Sequence, residues 1–238
     1  MKSIIYLSFF ISFAVLADNQ DYVAERAEMI DQLKSYARYV HDDDDVGFDR
    51  DVLTAMNTVE RHRLVPADQR RFAYENRPLP IGYSQTISQP YIVALMTQLV
   101  RPDASDVVLE VGTGSGYQAA ILAELVGHVY SIEIIEALAT RARKDLDALG
   151  YENITTRLGD GYYGWEEHGP FDAIVVTAAA SHVPPPLIKQ LKPGGRMVIP
   201  VGSHFMTQDM LLLEKTPDGG IITRQYGAVR FVPLTGKH

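Results

Sequence analysis

The sequence predicts an α/β protein built on a doubly wound, mostly parallel sheet of seven strands with an antiparallel edge hairpin. Three observations support this fold class. Short apolar strands alternate with helices after Pro102, which is the pattern of βαβ units. A glycine-rich loop joins the first of these strands to the helix that follows it. The segment 216–220, Thr-Pro-Asp-Gly-Gly, is a turn signal that separates the last two strands.

The strands are apolar along most of their length, which indicates a sheet that is covered on both faces. We predict strands over 106–111, 128–133, 154–158, 171–177, 196–201, 209–215 and 221–234. We predict helices over 117–126, 135–149 and 185–191, and a glycine follows each of the first two. Pro193-Gly194-Gly195 is expected to end the third helix.

The chain before the sheet is predicted to form a small helical extension over 18–80, followed by the main domain over 81–238. Apolar and small residues recur at spacings of three and four over 22–40, which indicates an amphipathic helix. A second helix is expected over 49–59, with Asp49 or Asp51 as its N-cap. The four aspartates at 42–45 lack the alternating ligands of an EF-hand, so we expect a solvated loop there.

Residues 1–17 predict a secretory signal peptide. One lysine precedes an apolar stretch over 4–16, and Val15 and Ala17 place small side chains three and one positions before a cleavage site. A membrane anchor would need about 20 apolar residues, more than this stretch contains. A buried helix is the other alternative. We therefore expect an exported protein, periplasmic or secreted, without stable membrane association.

Composition excludes several classes of function. With 22 Lys and Arg against 30 Asp and Glu, the net charge is −8, so the chain lacks the basic surface that binds nucleic acid. It contains no cysteine, which excludes disulfides, thiolate metal sites and cysteine nucleophiles. Its 7 histidines lack the HxxxH and HExxH spacings, so we predict no metal site. We expect a monomer.

A glycine-rich loop at 110–116, Glu-Val-Gly-Thr-Gly-Ser-Gly, follows the first strand and opens a helix. Glycines let a ligand approach the backbone, and the free N–H groups of a helix start favour an anionic group. Glu133 ends the next strand, where a carboxylate can accept hydrogen bonds from both ribose hydroxyls. The predicted cofactor-binding residues are Glu110, Gly112, Thr113, Gly114, Ser115, Gly116, Glu133, Asp160 and Gly161.

The loop favours S-adenosylmethionine over other nucleoside cofactors. Tyr117 stands where the dinucleotide fingerprint needs a small residue, and the loop has no Lys or Arg to neutralise a triphosphate. S-adenosylmethionine carries one carboxylate and one sulfonium, which these features suit. Asp160, in Gly-Asp-Gly after the third strand, could accept a hydrogen bond from the adenine amino group. The alternative is that the glycines only form tight turns.

The loop after the fourth strand excludes one kind of methyl transfer. Enzymes that methylate exocyclic amino groups of bases carry an Asn or Asp followed by Pro-Pro and an aromatic residue at this place. Here the sequence over 177–180 is Thr-Ala-Ala-Ala, which offers no such group. Base methylation is therefore not expected, in agreement with the acidic charge.

The run Leu-Pro-Ile-Gly-Tyr-Ser-Gln-Thr-Ile-Ser-Gln-Pro at 79–90 resembles the protein-L-isoaspartate O-methyltransferase family. Four further motifs follow in the family's order, and the resemblance covers about 58–234; the motifs lie at 110–116, 159–161, 191–197 and 229–234. The resemblance implies a Rossmann-like S-adenosylmethionine-dependent methyltransferase fold and isoaspartyl residues of proteins and peptides as the substrate. Ser88 occupies the family's active-site position. Members of the family are usually cytoplasmic.

The chemistry of such a substrate agrees with the residues present. An isoaspartyl carboxylate has a pKa near 4, so at neutral pH it is already an anionic nucleophile that needs no general base. Thr86, Ile87 and Ser88 are predicted to hold this carboxylate, with Ser88 as the catalytic residue. The segment 228–234, with Val232, is predicted to line the peptide cleft. Alternatively, Ser88 caps the helix that begins at Pro90.

Two departures from the family pattern bear on the site. The segment 67–77 is shorter than is usual, so the lid over the substrate is expected to differ. Ser84 stands where the family usually has glycine, which alters the backbone freedom of that loop.

Two other functions stay open. The signal peptide is compatible with an exported protein that binds S-adenosylmethionine without turnover. A methyltransferase acting on a small-molecule carboxylate is the second alternative.

Overall fold

The computed structural model describes residues 22–36, 47–203 and 205–237. The predicted signal peptide over 1–17, the end of the first predicted helix at 37–40 and the aspartate run at 42–45 lie outside these ranges. Among the residues described, no helix is both long and apolar enough to cross a membrane.

The described strands are β1 (Leu79–Gly82), β2 (Gln85–Ile87), β3 (Val107–Val111), β4 (His128–Glu133), β5 (Ile154–Leu158), β6 (Phe171–Val176), β7 (Leu191–Val201), β8 (Gln208–Lys215) and β9 (Ile221–Val229). The described helices are α1 (22–36), α2 (Arg50–Thr58), α3 (Pro90–Val100), α4 (Tyr117–Ala123), α5 (Glu136–Leu149) and α6 (Pro185–Lys189). Short 3-10 turns lie at Arg61–Leu64, Ala67–Phe72, Gly161–Tyr163 and Glu166–His168.

Seven strands form one sheet in the order β5-β4-β3-β6-β7-β8-β9. Strands β3 to β7 run parallel, whereas β8 and β9 pair antiparallel at the edge. The predicted mostly parallel sheet with an edge hairpin is therefore confirmed. The chain runs outward from β3 through β4 to β5 and then returns to the other side of β3 with β6. This reversal of strand order opens a crevice at the carboxyl ends of β3 and β6.

Alternate residues of the central strand point into opposite cores, which explains its continuous apolar sequence. Val108 packs with helices α3, α4 and α5 on one face. Leu109 and Val111 pack on the other face with Leu187 of α6 and Trp165. A strand covered on both faces has no polar face, so its sequence does not alternate.

The helical extension shares one core with the sheet. Side chains from both sides of the predicted boundary at residue 80 belong to a single buried cluster, with Met29, Leu33, Met56, Met96 and Val108 among its members. The boundary itself falls inside β1. The extension is therefore packed against the same sheet face that carries α3 and α4.

The prediction that Pro193-Gly194-Gly195 ends a helix is wrong. Helix α6 already ends at Lys189, and the three residues lie inside β7. The pairing of β6 with β7 shifts register at this point, as a bulge does. A side chain at Gly195 would lie 2.7 Å from the carbonyl oxygen of Asp172, so glycine allows the two strands to meet here.

The predicted N-cap of α2 is confirmed at Asp49, although its carboxylate makes no capping bond and accepts a hydrogen bond from Gln98 Nε2 at 2.8 Å. One smaller prediction needs correction. The last strand ends at Val229, so the predicted part over 230–234 leaves the sheet.

The β1–β2 hairpin, which the sequence analysis did not predict, turns through two residues with positive φ. Tyr83 has φ 54° and Ser84 has φ 57°. A tight turn with positive φ at both central positions suits glycine or asparagine, and other L residues are strained in this region. Ser84 therefore sits in a conformation that glycine adopts at lower cost.

We expect Ser84→Gly to raise the free energy of unfolding by about 0.5–1 kcal/mol, because glycine has no Cβ to clash at positive φ. Thermal unfolding measures this, with Ser35→Gly as the control. Ser35 lies in helix α1, where glycine weakens the helix and should lower the melting temperature. A melting temperature for Ser84→Gly at or below that of the unmodified protein would contradict strain in the turn.

Candidate functional site

A cleft of about 760 Å³ opens at the carboxyl ends of the central strands, where the strand order reverses. The glycine-rich loop after β3, the end of β4, the loop after β2 and the C-terminal segment form its walls. The structure brings together all but two of the predicted site residues along this cleft: Thr86, Ile87, Ser88, Glu110, Gly112, Thr113, Gly114, Ser115, Glu133, Gly161 and Val232. Gly116 and Asp160 do not line it.

The glycine-rich loop needs glycine for two reasons. Gly112, Gly114 and Gly116 all have positive φ, at 99°, 54° and 85°. A side chain at Gly112 would also overlap the hydroxyl of Thr177 at the end of β6. That hydroxyl donates to the carbonyl oxygen of Gly112 at 2.6 Å, so it fixes the loop to the neighbouring strand. The loop over 110–116, called the cradle below, therefore presents backbone groups to the cleft and leaves the space that a ligand needs.

Glu133 faces the loop from the end of β4. Its side chain is nearly buried, and Oε2 accepts a hydrogen bond from the N–H of Gly114 at 2.7 Å. Oε1 accepts from the N–H of Ile135 at 2.9 Å. A carboxylate has about four acceptor positions, so two remain for hydroxyl groups of a ligand in the cleft. This geometry suits the ribose role predicted for Glu133.

Glu110 lies deeper and is fully buried. Ser131 Oγ donates to its Oε2, and Ser131 Oγ also lies 2.5 Å from Thr113 Oγ1, in the loop. Oε1 of Glu110 has no hydrogen-bond partner within the described residues, although Glu110 lines the cleft. Burial raises the pKa of Glu110 to about 8, against the effect of the Ser131 hydrogen bond. The carboxyl is therefore mostly protonated at neutral pH.

We expect Glu110 to make the protein less stable as the pH rises. The pKa of Glu110 is about 8 in the folded protein and 4.5 in the unfolded chain, so between these values only the folded state holds the proton. This contribution to stability is complete below the lower value and is lost as the pH rises through the upper one. Glutamine at position 110 cannot titrate. The unfolding free energy of the unmodified protein should therefore decline relative to Glu110→Gln between about pH 5 and pH 8.

Urea unfolding at several pH values measures this difference. Glu136→Gln is the matched control, because Glu136 is exposed in the first turn of α5. A difference between the unmodified protein and Glu110→Gln that stays constant with pH would contradict a protonated Glu110.

A second cavity, of about 880 Å³, adjoins the cleft on the side of Ser88. The segment 228–232, Thr207 and Ile92 line it. Four residues line both spaces: Thr86, Ser88, Thr177 and Val232. They mark the place where a molecule in the second cavity would meet one in the cleft.

Ser88 does not cap helix α3. The N-cap of α3 is Gln89, which makes no side-chain capping bond, and Asn76 Oδ1 accepts the N–H of Tyr91 at 3.0 Å. The alternative role predicted for Ser88 is therefore wrong. Its side chain remains partly exposed between the two cavities.

The C-terminal segment crosses the carboxyl edge of the sheet after β9 ends. Ala179 donates its N–H to the carbonyl oxygen of Val232 at 2.8 Å, and Leu234 donates back to Ala179 at 2.8 Å. These bonds hold the segment against the loop after β6, where it walls both cavities.

Asp160 is engaged outside the cleft. Its carboxylate accepts the N–H of Tyr162 and the N–H of Lys237, each at 3.0 Å. Its neighbour Gly161 does line the cleft, where a side chain would overlap Val111. The adenine contact of Asp160 therefore stays a prediction.

The role of Thr177 could not be predicted from the sequence, because a threonine after a strand carries no signal of its own. The structure shows Thr177 as the tie between the glycine-rich loop and β6. Within the described ranges, no group of histidine, aspartate and glutamate side chains could hold a metal ion.

Comparison with known proteins gives relatives that are more than half identical to this chain. A protein-L-isoaspartate O-methyltransferase of Syntrophobacter fumaroxidans is 57% identical over 236 residues, which cover 99% of this chain and 96% of that relative. A protein of the same description from a Polaromonas species is 65% identical over 189 residues, 79% of this chain and 90% of the relative.

Solved structures agree in fold. A protein-L-isoaspartate O-methyltransferase structure superposes with a TM-score of 0.77 at 29% identity, covering 89% of this chain and 66% of that one. A beta-aspartate methyltransferase from Plasmodium falciparum, in complex with S-adenosyl-L-homocysteine, superposes with a TM-score of 0.71 at 26% identity. It covers 87% of this chain and 97% of that one.

The family model described as protein-L-isoaspartate(D-aspartate) O-methyltransferase matches residues 24–238. The methyl donor of this family is S-adenosylmethionine. Because the match spans nearly the whole chain, this chain belongs to the protein-L-isoaspartate(D-aspartate) O-methyltransferase family.

Proposed function

We propose that this chain transfers a methyl group from S-adenosylmethionine to the free carboxylate of isoaspartyl residues in proteins and peptides. One observation carries the proposal: a backbone-lined cleft and an adjoining cavity meet at Ser88 and Thr86. The cleft has the features of a nucleoside site, and the cavity is lined by the segment 228–232. Membership of the family supports the activity proposed.

The residues of the cleft fit the methyl donor. The glycine at position 112 leaves room that a side chain would fill, and the N–H groups at the start of α4 suit a carboxylate. Glu133 has acceptor positions for the ribose hydroxyls, and the unpartnered Oε1 of Glu110 faces the same cleft. When bound, S-adenosylmethionine supplies a methyl group on a sulfonium, which the substrate carboxylate attacks so that the C–O bond forms as the C–S bond breaks.

The protein's own residues then have to bind the substrate carboxylate, orient it and exclude water from it. No general base is required, because a carboxylate with a pKa near 4 is ionised at neutral pH. The hydroxyl of Ser88 can donate to one carboxylate oxygen and leave the other free to react. Opposite charges cancel in this reaction, so exclusion of water and alignment provide most of the rate.

The C-terminal segment supplies the wall on the peptide side. Val232 lines both spaces, and its carbonyl oxygen is already bonded to Ala179. Phe231 and Leu234 donate their N–H groups to Gln208 Oε1 and to the carbonyl oxygen of Ala179, so an extended substrate would pair with other main-chain groups of the segment. The methyl ester formed would cyclise to a succinimide without the enzyme and open partly to normal aspartate, so the reaction is a repair.

We further propose that residues 1–17 direct export, on the strength of the single lysine, the short apolar stretch and Ala17 at the cleavage position. The substrates would then be damaged proteins outside the cytoplasm. An exported enzyme would also need a supply of the methyl donor in that compartment.

We expect the protein to methylate an isoaspartyl peptide and to leave the matched aspartyl peptide unmodified. In Ser88→Ala, kcat/KM for the isoaspartyl peptide should fall roughly 10- to 100-fold, because a hydrogen bond to a charged group contributes about 1.5–3 kcal/mol. The affinity for S-adenosylmethionine should change less than twofold. Radiolabel transfer to each peptide and calorimetry measure these quantities.

Ser105→Ala is the matched control, since Ser105 is exposed before β3, at the opposite edge of the sheet. Its activity should equal that of the unmodified protein. Equal labelling of both peptides, or of neither, would contradict the proposed substrate. Binding of S-adenosylmethionine without any transfer would favour the alternative of a binding protein.

A further inference from the structure

Arg61 is a buried cation in the helical extension. It lies in the first 3-10 turn, and its side chain is 0% exposed. No aspartate or glutamate of the described chain lies within ion-pair distance of it; the ion pairs found involve other basic residues. Burial lowers the pKa of Arg61 to about 10, so the guanidinium is still charged at neutral pH. A buried charge without a counter-ion is rare, so the groups that contact the guanidinium must compensate for its burial.

The guanidinium joins three separate parts of the chain. Nε donates to the carbonyl oxygen of Ala73 at 2.7 Å, within the extension. Nη2 donates to the carbonyl oxygen of Ser88 at 2.7 Å. The guanidinium carbon lies 4.6 Å from the ring centroid of Tyr117, the first residue of α4. Nη1 has no partner within the described residues.

Two of these contacts are made with residues that line the cleft. Ser88 belongs to the wall where the cleft meets the second cavity, and Tyr117 directly follows the glycine-rich loop. One planar group therefore links the backbone of Ser88 to the ring of Tyr117, the residue that follows the glycine-rich loop. The rigid fork of arginine suits this task, whereas lysine offers a flexible point charge.

Resting on the function proposed above, we propose that Arg61 is a positioning residue for methyl transfer, acting through the Ser88 carbonyl and the Tyr117 ring. It does not touch substrate or methyl donor. Misplacement of reacting groups by about 1 Å can cost roughly 100-fold in rate, so loss of this link should appear in the catalytic step. A residue that only fills the core would affect stability and leave the turnover of folded molecules unchanged.

The test compares Arg61→Lys and Arg61→Gln with the unmodified protein. Lysine keeps the positive charge but lacks the planar guanidinium, and glutamine keeps hydrogen-bond donors but lacks the charge. We expect both variants to lower kcat for the isoaspartyl peptide at least tenfold. The value of kcat is calculated per S-adenosylmethionine-binding site, and calorimetry gives the number of these sites. The dissociation constant of S-adenosylmethionine should change less than threefold, and lysine should retain more activity than glutamine.

Arg26→Lys is the matched control. Arg26 is also buried, donates from Nη1 to the carbonyl oxygen of Thr58 at 2.8 Å and lies 5.8 Å from the Tyr74 ring centroid. It touches neither wall of the cleft. We expect this variant to lose stability to a similar degree and to keep kcat within twofold.

Folded Arg61 variants with kcat within twofold of the unmodified protein would overturn the inference. Loss of all binding sites in both variants would also overturn it, because Arg61 would then serve the fold and not the alignment. Failure of the unmodified protein to methylate the isoaspartyl peptide is a different result, since it would overturn the proposed function itself.

Discussion

The structure depends on one constraint. The loop after β3, where the strand order reverses, must present its backbone with no side chain in the way. The loop after β3 can hold a ligand only if its glycines adopt positive φ and no side chain fills the space toward Thr177. The Thr177 hydroxyl and the Glu133 carboxylate hold the loop in this form, each through a hydrogen bond to its backbone. The protein's own groups thus hold the loop in this form, which reduces the cost of ordering it on binding.

Segments far apart in the sequence close this cradle. The extension reaches it through Arg61, and the loop after β2 contributes Ser88. The C-terminal segment returns across the sheet edge and is fixed to Ala179. The extension and the sheet share one core, so these walls are coupled by packing. A single unit of this kind can keep a carboxylate and a methyl donor aligned, which is the main demand of a reaction that needs no base.

Much of the fold and cradle could be predicted from the sequence, because apolar strands and glycine loops leave strong local patterns. Strands β4 and β5 have the predicted bounds. The β1–β2 hairpin was missed since its strands are only four and three residues long. The protonated state of Glu110 and the burial of Arg61 depend on distant neighbours, and residue type alone suggests charged, exposed side chains for both.

The central proposal is that a methyl donor on the glycine-rich loop faces a carboxylate bound beside Ser88. A crystal structure of the full chain with S-adenosylhomocysteine and an isoaspartyl peptide tests this most directly. We expect the ribose hydroxyls to bind Glu133 and a carboxylate oxygen to lie within about 5 Å of the sulfur, the distance that leaves room for a methyl group in line. A nucleoside bound away from the loop, or a peptide carboxylate remote from Ser88, would contradict it.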